Sequence, residues 1–168
     1  VEDGPQMQFF ETNKDFKKPE TVYENATKKW KTIYDSSEKA LAQHEDHTLS
    51  TAARLVKASA AYRTGKPEEA IALYRKALNE IQQESEKVVV YYGLSIAYAR
   101  KGDMENALDT LDLLAKHEDY KELAHYEKAK LLEAAGKVED AKKIYQSLLD
   151  LSKALPFQSD LERRLATL

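Results

Sequence analysis

A chain of 168 residues with 26 basic and 29 acidic side chains, 42% apolar residues and mean hydropathy −0.66 has the size of one domain, or one short repeat array, with a strongly solvated surface. A net charge of −3 leaves no electrostatic footprint for nucleic acid, and the absence of cysteine excludes disulfides, thiol catalysis and Cys-ligated zinc. The 5 glycines never fall within eight residues of one another, which excludes P-loop and dinucleotide fingerprints.

Residues 1–20 carry Pro5, Pro19 and scattered Phe9, Phe10 and Phe16, and read as an extended or partly helical leader. There is no initiator Met and no signal-peptide pattern, so the expectation is a fragment or processed product. The longest uncharged stretch, Val88–Ala99, falls short of the ~20 residues that a transmembrane helix needs. From residue 21 the apolar spacing is helical. Val22, Ala26, Trp30, Ile33, Ser37 and Ala40 make one stripe, which predicts a leading helix within 21–47. Residues 48–155 alternate helical segments with short polar breaks at Gly65, Gly102 and Gly136. Pro156, Phe157, Leu161 and Leu165 open a final helix over 156–168, with Ser159, Glu162 and Arg163 on its polar face.

Three segments align without gaps: Gly65-Lys-Pro-Glu-Glu-Ala70, Gly102-Asp-Met-Glu-Asn-Ala107 and Gly136-Lys-Val-Glu-Asp-Ala141. Their glycines are 37 residues apart (65 to 102) and then 34 (102 to 136). Seven positions before each stands a small residue: Ala58, Ser95 and Ala129. Nine after each stands a bulky one: Tyr74, Leu111 and Tyr145. Small residues on facing positions let two antiparallel helices approach closely, and the bulky residue one turn past the Ala fills the gap to the next pair. Glycine suits the left-handed backbone that ends the first helix, and the acidic residues beyond it favour the positive end of the second. One such pair cannot bury its own apolar face, so pairs must stack. The three-residue excess in the first spacing calls for an insertion near residues 82–86 or a longer second helix.

No constellation argues for chemistry. His44 and His47 could share a metal on a helix, but two ligands without a third are not a site. The His-Glu-Asp trio recurs at 117–119, as equivalent connecting loops would. Carboxylate pairs such as Glu68/Glu69 and Glu139/Asp140 fall at helix starts, where the helix dipole accounts for them. No nucleophile elbow exists. The sequence therefore predicts no catalytic residue, cofactor or metal. Lys14, Lys17, Lys18, Lys28, Lys29 and Lys31 among Phe16, Tyr23 and Trp30 could meet an anionic membrane surface, but Glu11, Asp15, Glu20 and Glu24 interrupt them, and a solvated face is the better reading.

These offsets, recurring three times over about 51–153, resemble the tetratricopeptide repeat, a 34-residue helix–turn–helix unit. Two features depart from that pattern: no Trp opens a first helix, and no Pro closes a repeat. The resemblance implies an all-α fold, a right-handed superhelical stack of antiparallel helix pairs closed by a C-terminal helix. It implies a groove lined by the first helices, here Leu55, Ser59, Tyr62 and Arg63, then Tyr92, Ile96 and Arg100, then Tyr126, Lys130 and Glu133. Tyrosine, with 10 copies, gives large contact area at low entropy cost, which suits such a wall. Some of these tyrosines could instead pack under the N-terminal helix. The carboxylate clamp known in the family needs Lys and Asn at positions that hold Leu55, Tyr92 and Tyr126, and Ser59, Ile96 and Lys130 here. The implied function is non-catalytic protein–protein interaction, with peptide or protein segments bound in the groove. Within such families the chain looks similar to the soluble region of bacterial YfgM-like ancillary subunits of the SecYEG translocon. That resemblance implies a periplasmic adaptor tethered to the inner membrane by an upstream anchor, contacting the Sec translocon or envelope chaperones. A cytoplasmic regulatory or co-chaperone-like scaffold, and a homo-oligomer that pairs helix faces between copies, are the other classes left open.

Overall fold

A computed structural model describes residues 26–43 and 48–168, all helix and short turn among those residues. The expected leader, Val22 of the leading stripe, the His44/His47 pair and much of the basic–aromatic cluster lie outside the described residues. The helices are α1 (Ala26–Gln43), α2 (Thr48–Arg63), α3 (Pro67–Glu80), α4 (Glu84–Lys101), α5 (Met104–Leu114), α6 (Lys121–Ala134), α7 (Val138–Leu149) and α8 (Gln158–Thr167). A 3-10 turn, Glu118–Tyr120, precedes α6 and holds two residues of the His-Glu-Asp trio, with His117 as its cap. Each helix packs on the next in sequence, and α2 also touches α4. The chain is an all-α solenoid whose units are α2–α3, α4–α5 and α6–α7.

The glycine breaks work as the backbone requires. At Gly102 φ is 88°, and its N–H donates to the carbonyls of Ala99 and Tyr98. That left-handed closure is sterically free only without a Cβ, and it recurs at Gly65 and Gly136. Just beyond, Asp103 caps α5 by accepting the Asn106 N–H at 3.2 Å. The three-residue excess is a longer second helix: α3 has 14 residues and α5 has 11. The next glycine lies 22 residues past the helix end in both cases (80 to 102, 114 to 136).

The core is a chain of local clusters, as expected where each unit contacts only its neighbours. Trp30 and Ile33 of α1 close over Ala60. Ala58, Ala70 and Tyr74 of the first unit join Val90, Leu94 and Ala97 of the second. Val88, Leu111, Leu114 and Ala124 link the second to the third. Tyr126, Ala129, Ala141, Tyr145 and Leu148 of the third are closed by Leu161 of α8. Ala70, Ala107 and Ala141 are each 0% exposed, so the close helix approach read from their spacing is realised in all three units.

Candidate functional site

The first two units enclose a groove of about 310 Å3 between α2, α3 and α4. Leu55, Ser59, Tyr62 and Arg63 enter it from α2, and Tyr92 and Ile96 from α4. These are six of the positions that the sequence assigned to the groove. Val56, Tyr74, Val89 and Gly93 line it as well and were not anticipated. Val89 had a signal: 89, 92 and 96 form one helical stripe beside the core stripe of Val88 and Val90. It is 62% exposed, the most exposed of the large apolar side chains among the described residues. The repeat spacing makes Tyr74 a packing residue. It is buried, yet its ring also floors the groove by lying against Gly93, where an added Cβ would stand 2.5 Å from the ring. Gly93 therefore sets the depth of the groove.

Its electrostatics are one-sided. Among the described residues no carboxylate lines it, and Arg63 is the cation at its edge. The Arg63 guanidinium stacks 4.5 Å from the Trp30 ring, and that of Arg100 stands 5.1 Å over Tyr62. A guanidinium can stack by its face and still donate from its edge. The Tyr92 hydroxyl donates to Glu127 at 3.3 Å. Burial, reinforced by that carboxylate, pushes its pKa up to about 12, so it stays a neutral phenol. Burial likewise raises the Tyr74 hydroxyl, partly offset by Ser59 and Arg63.

The third unit places its expected groove residues differently. Tyr126 is buried, stacked on Phe157 with ring centroids 4.2 Å apart, and its hydroxyl donates to Asp160. Glu133 accepts from the Tyr145 hydroxyl at 2.6 Å and from Arg164 at 3.1 Å. Lys130 pairs with Glu127 at 2.9 Å and lies 4.8 Å over the Tyr126 ring. Tyr126 and Glu133 are thus engaged by α8 and the segment leading into it. Tyr62 and Tyr92 stand half-buried at the groove, while Tyr126 packs under the C-terminal helix and not the N-terminal one. The hydrogen bond from Tyr145 holds the Glu133 carboxyl below its usual range, with Arg164 adding to it. Arg164, then Arg163, do the same for Asp160.

Among the described residues no group of three His, Asp or Glu side chains could hold a metal, and no helix is long and apolar enough to cross a membrane.

Comparison with known proteins agrees with this architecture. No curated protein matches the chain. A Podosopora anserina protein described as a kinesin light chain with nearly identical TPR-like repeats superposes with a TM-score of 0.73 at 15% identity, over 98% of this chain and 86% of that one. A tetratricopeptide repeat protein from Parabacteroides merdae gives 0.68 at 17% identity, over 95% of this chain and 59% of that one. At such identities the likeness is one of fold. The family model of the tetratricopeptide repeat-like domain matches residues 10–167, nearly the whole chain, and the chain belongs to that family.

Proposed function

We propose that the chain is a non-catalytic protein–protein interaction scaffold that holds an extended or helical segment of a partner in the groove between α2, α3 and α4. The observation that carries this reading is a groove with an aliphatic and aromatic lining, no carboxylate among the described residues that line it, and Val89 standing open to solvent. Leu55, Val56, Val89 and Ile96 offer an apolar seat for one or two anchor side chains. Arg63 at the groove edge, and Arg100 over the Tyr62 ring, donate to partner carbonyls and fix direction. Lys130 contributes from the far end only when it leaves Glu127. A bacterial periplasmic setting with an upstream membrane tether, and a partner in the Sec translocon or among envelope chaperones, belong to this proposal on sequence resemblance alone. Fractionation of the full-length protein from its own cells tests that part.

The groove itself is tested by selecting peptides from a random library against the purified chain and mapping a selected peptide by amide chemical shifts. The expected peptides carry paired apolar side chains, move the resonances of Ser59, Tyr92 and Ile96, and lose affinity at least tenfold, roughly 1.4 kcal/mol, with Ile96→Asp. Selected peptides that bind Ile96→Asp as well as the parent chain would refute the assignment.

A further inference from the structure

The solenoid register exposes a second opening, away from the groove. In each unit the residue eleven positions before the glycine faces the residue fifteen positions after it, across the far end of the helix pair. In the first unit these are Arg54 and Glu80: Arg54, 2% exposed, donates to the Glu80 carboxylate at 2.8 Å, and Thr51 donates to the same oxygen at 2.8 Å. In the second they are Tyr91 and His117, whose rings lie 6.1 Å apart. In the third they are His125 and Leu151, and here the slot stands open. Leu151 is 48% exposed, and a cavity of about 470 Å3 remains between α6 and the end of α7.

The walls of that cavity have a definite chemistry. Ile144, Leu148 and Leu151 form an apolar side. Lys121, His125, Lys128 and Lys143 stand around it. Glu122 is the one acidic residue among the described residues that line it, and Lys153 already holds that carboxylate at 2.6 Å. Lys128 is paired with Asp112 at 2.8 Å, whereas Lys143 reaches Asp140 only at 3.9 Å, with both side chains exposed. Lys121 makes no ion pair among the described residues, only a longer-range pull on Glu122.

We propose that this slot is a second protein-binding site, which takes an acidic side chain flanked by an apolar one from a partner segment. The incoming carboxylate occupies the place that Glu80 fills within the first unit. Lys121 and Lys143 are its cationic partners, and His125 adds a donor. The neighbouring apolar side chain covers Ile144 and Leu151. Charge complementarity selects an acidic segment over a basic or neutral one. The apolar wall selects a protein segment over a bare carboxylate, which would leave the leucines wet.

The experiment uses the whole chain and a blocked synthetic peptide containing Leu, Phe and two Glu, followed by calorimetry and amide shifts. Binding should perturb His125, Ile144 and Ser147, and weaken about tenfold for the peptide with Gln in place of Glu. Lys121→Glu combined with Lys143→Glu should weaken it by a similar factor. Leu151→Glu is the sharper variant. It lies on the surface, supplies the missing carboxylate from within, and should abolish binding while leaving the melting curve unchanged. Ile96→Asp, in the groove, should leave binding intact, which separates this site from the first. Unaltered affinity in Leu151→Glu, shifts confined to the groove, or binding of dodecanoate but not of the peptide would each overturn the proposal.

Discussion

In the first unit Arg54 and Glu80 close the far slot, while the groove between α2 and α4 is left open. In the third, Phe157, Asp160 and Arg164 lie against the equivalent groove side chains, while the far slot is open. The backbone register is the same in both. The two differ in the identity of a few side chains and in the helix that comes after each unit. A helix pair presents two faces that need cover, and each end of this solenoid covers the opposite one. One repeat backbone can thus leave different faces open without a change of fold.

The largest effect should come from removing the cover of the third unit. Leu161 is 0% exposed against Tyr145 and Leu148, so Leu161→Ala should cost about 2–5 kcal/mol in urea denaturation. Deleting residues 155–168 should go further and expose Tyr126 and Tyr145 to self-association, read by light scattering at rising concentration. A truncated chain that stays monomeric with an unchanged melting curve would mean that α8 is an appendage and the two ends are not complementary.

Next in size is Ala107→Leu, in the second unit, which is common to both sides of the comparison. It should overpack the α4–α5 contact by about 1–3 kcal/mol. No loss on denaturation would show the shared register to be misassigned.

Gly93→Ala sharpens the groove side. The new Cβ meets the Tyr74 ring at 2.5 Å, so the ring must leave its seat. A stability loss of about 1–2 kcal/mol is expected, with altered Tyr92 and Ile96 resonances and with those of α7 unmoved. Changes spread along the whole chain would argue against local, unit-by-unit packing.

The smallest effect concerns the cap electrostatics. Glu133 and Asp160 are held below their ordinary values of 4.5 and 3.8 in the folded chain. Their contribution is therefore fully present above those values and is lost as pH falls through the lower folded ones. Acid titration should loosen α8 below about pH 4 before the first unit is affected. Arg164→Ala should cost about 1 kcal/mol at neutral pH, since its partners are partly exposed, and should flatten that acid response. An identical acid profile in parent and variant would show that this network does not hold the cap.

Much of this was legible in the sequence because it depends on spacing. Ala58, Ala70 and Tyr74, and their equivalents one and two repeats on, are set by helical geometry, and geometry recurs with the repeat. Leu55, Ser59, Tyr62, Arg63, Tyr92 and Ile96 converge on one groove for the same reason. Val89 and Gly93 were readable in part, from the stripe that they share with Tyr92 and Ile96. The fate of Tyr126 and Glu133 was not, because the side chains that engage them come from a helix about 30 residues away, and no local pattern says which face of α6 it will take.

The sequence by itself determined the all-α class, the three paired helices, their hinge glycines and the small residues that let them close. Those features rest on backbone conformation and nearest-neighbour packing, both written within some 34 residues. Only the tertiary structure decided which face of each unit is covered. Arg54 finds Glu80 across the ends of α2 and α3, where the same two positions bring Tyr91 to His117 in the second unit, and Asp160 finds Tyr126 because α8 stacks where a further first helix would lie. Such pairings depend on the distance between side chains that the chain brings together only when it folds, and repeat register alone does not encode them.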